Sequence, residues 1–294
     1  MRRWWAGLLM AGLVTACGSV PPQGGPAATP TTSSTAAAPP ATATTATTAA
    51  LPATTTPTAT RSSTRSGSPT PARSTDAKPL AGRTIVVDPG HNGVWTRAQN
   101  RPVPAGNGRT KACNTSGTAG GDYPEHAFTW SLAGEVAHRL RALGGTVVLT
   151  RSNDHSMGPC VNIRAKITND ADADLLVSLH ADGNLARGAR GYHIIVSSTM
   201  IGGAGVERRS VALARELRAA MDAGTTMPRS TYVGAGTAIH ARTDVAGLNL
   251  IRVPGVMMEM GNMRNATDLA LLQSPGFRRA AAAAIADGVI AALR

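Results

Sequence analysis

The sequence predicts an α/β fold: a single domain with a largely parallel, twisted β-sheet flanked by helices, preceded by a disordered linker. Three observations predict it. Short β-branched runs alternate with helical periodicity from Arg83 to the end of the chain, the signature of a parallel sheet covered on both faces. The runs are continuously apolar, as in RTIVVD and DLLVSL, which is how strands buried on both sides read. The first 79 residues show no such alternation and are dominated by Pro, Ala, Thr, Ser and Gly after an apolar start.

Taken in order, Arg83–Asp88 reads as a buried strand closed by the turn Pro89-Gly90. Residues 92–122 are rich in Gly, Asn, Thr and Pro without periodicity and read as one long loop, a feature usually functional or disordered in a compact domain. Asp122-Tyr123-Pro124 starts a helix with Pro in its first turn and Glu125 beside it. Phe128, Leu132, Val136, Leu140 and Leu143 continue it at helical spacing to Gly144-Gly145. Strands follow at 146–150, 174–179, 191–197 and 255–260, and helices at 163–171, 206–221 and 275–293. The alternating aspartates 170, 172 and 174 lack a calcium-loop pattern and read as a cap on a helix–strand turn. There is no internal repeat.

The amino-terminal segment is of another kind. Arg2 and Arg3 precede an apolar run from Trp4 to Ala16, too short at 1.5 Å per residue to span about 30 Å of hydrocarbon comfortably. This is the form of a secretory signal, and its end, Val14-Thr15-Ala16-Cys17, resembles a bacterial lipobox. The expectation is a lipoprotein signal over 1–17 with Cys17 acylated; an ordinary signal peptide with a chance cysteine is the alternative. Residues 18–79 cannot bury enough apolar surface to offset the entropy of ordering. They read as a leash with a random-coil span of roughly 45 Å, and 80–294 as the folded domain.

Composition narrows the function. It excludes a collagen-like repeat, a coiled coil and a polytopic membrane protein. Three cysteines are too few for a disulfide-framework miniprotein, and 3% aromatic residues argue against a stacking platform for sugars or single strands. The net charge of +12 falls to +7 from residue 80 on, where Lys and Arg number 23 against 16 Asp and Glu. For an exported domain, this charge points to anionic envelope polymers and lipid, not nucleic acid.

The chemistry-bearing residues sit at strand ends. His91 lies just past the first strand, His180 ends the third and Glu259 lies near the end of a late one. Ligands of open α/β sheets bind outside the carboxyl ends of the strands, so two imidazoles and a carboxylate can converge there. Glu125 can join them from the side. His₂Glu with one open position is a ligand set of catalytic zinc, although a first-turn glutamate also serves as a helix-dipole partner. Glu259 stands inside an apolar run, which is costly unless the carboxylate is paired, metal-bound or catalytic. Histidines 126, 138, 155, 193 and 240 have weaker contexts and read as structural or surface residues. A thiolate nucleophile at Cys113 or Cys160 is possible, but in an exported protein the two are expected to form a disulfide. The Gly-x-Ser-x-Gly, His-Glu-x-x-His and Walker-type motifs are absent.

Five segments in order, IVVDPGHNG (85–93), PEHAFTWSLA (124–133), TRSND with NIRAKITN (150–169), VSLHADG (177–183) and VMMEMGNMRN (256–265), resemble the zinc-dependent N-acetylmuramoyl-L-alanine amidases of the Amidase_3 family. The resemblance covers essentially all of 80–294 and is nearest to actinobacterial and mycobacterial members. It implies one zinc held by His91, Glu125 and His180, with Glu259 as the catalytic glutamate. It also implies hydrolysis of the amide between N-acetylmuramic acid and L-alanine, in cell-wall remodelling or muropeptide recycling. The sequence departs from the family at Ala181-Asp182-Gly183, where an Asn is usual, and at Met260. The expected partners are peptidoglycan or muropeptides and the membrane, through a lipid anchor. The protein is expected to be a monomer on the outer face of the cytoplasmic membrane. The rival readings are a non-catalytic peptidoglycan-binding envelope lipoprotein and a zinc peptidase cutting within the stem peptide.

Overall fold

The computed structural model describes residues 78–294; the signal, Cys17 and nearly all of the linker lie outside the described residues. In chain order the elements are β1 (Thr84–Pro89), β2 (Pro102–Gly106), β3 (Arg109–Ala112), β4 (Ala119–Gly120), β5 (Tyr123–Pro124) and α1 (Glu125–Ala142). Then come β6 (Thr146–Leu149), α2 (Val161–Asp170), β7 (Leu175–Asp182), β8 (His193–Ser197), α3 (Ala204–Gly224) and β9 (Ile239–Arg242). The chain closes with α4 (Ala246–Asn249), β10 (Gly255–Asn262), α5 (Ala266–Gln273) and α6 (Pro275–Ala292).

One six-stranded sheet, ordered β6-β1-β7-β10-β8-β9, organises this single α/β domain. The first four strands in that order are mutually parallel; β8 runs antiparallel to β10, and β9 parallel to β8. Side chains of a strand alternate between faces, so Ile85 and Val87 enter one core while Val86 enters the other. The larger core packs α1, α3 and α6 on the sheet through Phe128, Leu132, Leu217 and Ile285. The smaller one sets Ala165 of α2 and Leu248 of α4 against Val86, Leu176 and Ile195. Phe128 is fully buried, so Phe128→Ala would remove about 3–5 kcal/mol. Helix α6 starts where Ser274 accepts a hydrogen bond from the Phe277 amide and Pro275 opens the first turn, a pairing of cap and rigid φ that favours a helix start.

Three expectations need correcting. Residues 92–122 are not one unstructured loop, because β2 and β3 form a hairpin within them, turning at Asn107-Gly108, both with positive φ. Pro124 is the N-cap of α1, with extended backbone (ψ 151°), not a first-turn residue. The short elements β9, α4 and α5 fall in stretches where no periodicity was read.

The aspartates lie around the turn before β7 without capping it: Asp170 pairs with Lys166 inside α2, and Asp174 reaches across to β1. Asp174 accepts from the Thr84 amide at 2.8 Å and pairs with Arg83, and Asp172 adopts positive φ. Among the described residues, no helix is long and apolar enough to cross a membrane.

Candidate active site

The adjacent parallel strands β1, β7 and β10 end at one edge of the sheet, and their register aligns what they carry. Glu259 of β10 pairs with His180 of β7 and, on the other side, with His193 of β8. His91 follows β1 in a left-handed conformation, with φ 59°. This bend is held from several directions. Gly90 donates to the Leu179 carbonyl, Thr129 donates to the Gly90 carbonyl at 2.8 Å, and Arg164 donates to the Pro89 and His91 carbonyls at 2.6 and 2.5 Å.

Donor atoms of His91, Glu125 and His180 all lie within 4.8 Å of one another. Glu125 is the first residue of α1 and is buried. Its Oε1 faces His91 Nε2 at 3.0 Å and His180 Nδ1 at 2.9 Å, and it accepts from the Ala181 amide. Its Oε2 accepts from the Thr118 amide at 2.9 Å. On the far side of the His91 ring, Nδ1 donates to the Thr115 carbonyl at 3.0 Å, leaving Nε2 turned inward. An outer hydrogen bond of this kind fixes the tautomer and orientation of a ligating imidazole.

Two glycines permit the close approach. A β-carbon on Gly90 would press into the His180 ring, and one on Gly117, where φ is +78°, would meet Glu125 Oε2 and the His91 ring. The set fits a metal chemically: two imidazoles and one carboxylate from three parts of the fold, with His91 and Glu125 oriented by bonds to the surrounding backbone.

The electrostatics are those of a shared carboxylate. Burial resists ionisation of Glu125, but the two imidazoles outweigh it and hold the carboxyl well below the usual range. Burial likewise disfavours the charged His91, and the Glu125 carboxylate overrides it, raising the His91 pKa. Glu259 behaves in the opposite sense. Burial, then the charges of Glu125 and Asp182, push its pKa well above the ordinary value despite Arg242. Its Oε2 is shielded from solvent and has no hydrogen-bond partner among the described residues.

These residues line a groove of about 470 Å³ whose other walls include Lys111, Asp182, Arg242 and Arg264. Sequence reasoning did not single out Lys111, Arg242 or Arg264, and met Asp182 only as a departure from the family pattern. Asp182 accepts from the Tyr232 hydroxyl at 3.0 Å, and Arg242 is held in a fork by Asp244 at 2.8 and 2.6 Å.

His193, read from sequence as structural or surface, is buried beside Glu259 and packs against Tyr232 and His240. Burial drives its pKa down to about 4, so it is neutral at ordinary pH. His126 stands apart from the ring, paired with Asp154 at 2.9 Å. Cys113 and Cys160 are joined by a disulfide across 47 positions of sequence, which anchors the segment after β3 to the start of α2.

Comparison with known proteins identifies the family. Residues 85–291 match the family described as N-acetylmuramoyl-L-alanine amidase, Amidase_3. The chain is 40% identical over 225 residues to N-acetylmuramoyl-L-alanine amidase Rv3717 of Mycobacterium tuberculosis, covering 76% of this chain and 89% of that protein. Among solved structures, the apo form of the N-acetylmuramyl-L-alanine amidase Ami1 of Mycobacterium abscessus is similar at 40% identity and a TM-score of 0.70. That match covers 73% of this chain and all of the other. Ami1 of Mycobacterium smegmatis is similar at 41% identity and a TM-score of 0.69, over 73% of this chain and 98% of that one. The strand-end histidines, the first-turn glutamate, the fold and these similarities lead to one conclusion: the chain belongs to the Amidase_3 family of N-acetylmuramoyl-L-alanine amidases and is of the mycobacterial type.

Proposed function

We propose that this protein is a zinc-dependent amidase of the cell envelope. It hydrolyses the amide between the lactyl group of N-acetylmuramic acid and the L-alanine of the stem peptide, in wall remodelling or muropeptide recycling. The observation that carries this reading is the convergence of the His91–Glu125–His180 ring and Glu259, one strand away, on the same groove. One zinc bound by His91, Glu125 and His180 would supply a Lewis acid for the scissile carbonyl and acidify water at neutral pH.

The protein's own groups do the rest. The Glu259 carboxylate, which lines the groove, accepts a proton from the attacking water and delivers it to the leaving alanyl amine as general base and then acid. Its raised proton affinity, caused by burial and the neighbouring carboxylates, lets it hold that proton between the two steps. Thr115 and the Thr118 and Ala181 amides keep the ring's donors aimed. Arg242, clamped by Asp244, keeps a positive charge in the groove.

In this reading Cys17 carries the lipid, residues 18–79 form the leash, and 80–294 form the catalytic domain, acting as a monomer at the outer face of the cytoplasmic membrane. Peptidoglycan or muropeptides are the substrate. The test is a muropeptide digest with and without a chelator, followed by mass spectrometry. Chelator-sensitive release of intact stem peptides from glycan is expected. Products cut within the stem peptide, or none, would overturn the reading.

A further inference from the structure

The edge of the sheet opposite the groove carries a second surface. Because β1, β7 and β10 are parallel, the residues that precede them share that edge: Arg83 before β1, Asp174 before β7 and Arg252-Val253-Pro254 before β10. Strand β8 runs the other way and delivers Ile201 and the start of α3, with Arg208 and Arg209, to the same place. The described chain also enters there. Lys78 lies against Gly144, in the turn leading into β6, and the Leu80 amide donates to the Leu143 carbonyl. The linker therefore joins the domain at the edge remote from His91, His180 and Glu259.

Arg209 and Arg252 line a hollow of about 320 Å³ whose other walls are mostly apolar, among them Val253, Pro254 and Leu293. Both arginines are exposed, and neither side chain makes an ion pair or hydrogen bond among the described residues. The acids nearby are already engaged. Asp174 is held by Arg83 at 2.8 Å, Asp170 by Lys166, and Glu207 by the Met200 amide at 2.9 Å, which leaves Asp172 as the exception. Arg139 and Arg141, in the last turn of α1, add cations to this edge. Ile201 is 50% exposed, and it stands next to Arg252: a β-carbon on the adjoining Gly202 would meet the Arg252 backbone at 3.0 Å.

Unpaired cations around an exposed aliphatic side chain suit a surface that offers anionic headgroups with hydrocarbon beneath them. A hydrated anionic polymer would engage the arginines but give Ile201 nothing to bury in. We infer that this edge docks on an anionic phospholipid surface, with Arg209 and Arg252 on headgroup phosphates and Ile201 entering the interface. The docked domain has its linker toward the bilayer and its groove turned away from it. This adds a noncovalent contact to the lipid-anchored arrangement proposed above and is independent of the amidase chemistry.

The test is vesicle co-sedimentation of the chain from residue 17 onward with Cys17→Ser, so that neither the apolar segment 4–16 nor a lipid holds it. Vesicles are phosphatidylcholine alone or an equal mixture with phosphatidylglycerol, and melting curves verify that each variant folds. The parent chain is expected to bind the mixed vesicles and to leave the neutral ones. Arg209→Gln combined with Arg252→Gln should weaken that binding on the order of 25-fold, at about fivefold per arginine. Ile201→Ser should weaken it about tenfold. Arg187→Gln combined with Arg279→Gln removes the same charge from the opposite end, where Arg187 follows β7 and Arg279 lies in the first turns of α6; binding should change by less than about twofold. An equal loss in that control pair would reduce the effect to net charge and overturn the proposal, as would indifference to phosphatidylglycerol. Loss in the Arg209 and Arg252 pair with none in Ile201→Ser would assign the edge to a soluble anionic polymer and overturn the docking on lipid.

Discussion

Replacing Arg164 with Met is the most informative perturbation of the scaffold, because this buried guanidinium ties the His91 bend to α2. It donates to Asp88 Oδ1, the Pro89 carbonyl and Asn92 Oδ1 at 2.6 Å, and to the His91 carbonyl at 2.5 Å. Methionine fills much of the volume but offers no donor. Asp88 keeps its bonds from Ser178 and Thr150, yet it becomes a buried carboxylate without its ion-pair partner. Breaking one partner of such a pair costs about 3–5 kcal/mol, a large part of the roughly 5–15 kcal/mol that holds a typical domain together. The Pro89 carbonyl retains Arg151, but the His91 carbonyl loses its side-chain donor, so the bend carrying the imidazole loosens. Loss of support around a ligating histidine weakens metal binding by roughly 10–100-fold. Denaturant melts of metal-free protein at neutral pH, and zinc titration against a chromogenic chelator, measure the two effects separately. A stability loss below about 1 kcal/mol with zinc affinity within about twofold of wild type would refute the reasoning.

Two further outcomes follow from the same scaffold. Burial resists ionisation of Asp88, but Arg164 and the hydroxyls of Ser178 and Thr150 outweigh it and lower its pKa from 3.8 to about 2. A depressed carboxylate stabilises the fold above its unfolded pKa and loses that contribution as pH falls to the folded one. Acid titration of stability should therefore show about 2 kcal/mol disappearing between roughly pH 4 and pH 2, and Asp88→Asn should abolish that component. Replacing Cys113 and Cys160 with serine should cost about 2–4 kcal/mol and speed proteolysis within 92–122; unchanged cleavage kinetics would show that the bridge does not restrain this segment.

The sequence made the strand ends legible because three continuous apolar runs each finish in a residue that is expensive to bury without purpose. His91, His180 and Glu259 stood out for that reason. Glu125 was less distinct, since a glutamate at a helix start has an ordinary use; its place after the long loop allowed it to join the histidines, and the motif resemblance strengthened that reading. Strand direction was beyond reach for β8: GYHIIVS reads the same whether the strand runs with β10 or against it. The β2–β3 hairpin was missed although Asn107-Gly108 is a strong turn signal, because β3 is largely exposed (RTKA) and lacks the apolar pattern of a strand. Arg164 was invisible for another cause. Its importance lies in bonds to residues 72 to 76 positions away, which leave no local pattern.

The central claim is that His91, Glu125 and His180 hold zinc while Glu259 moves the proton. It is tested most directly by measuring zinc content and stem-peptide release together in the wild type, Glu259→Ala, His91→Ala and His180→Ala. Glu259→Ala should keep one zinc per chain and release no stem peptide, whereas each histidine variant should lose the metal along with the activity. Full turnover by Glu259→Ala, or undiminished zinc in both histidine variants, would contradict the account.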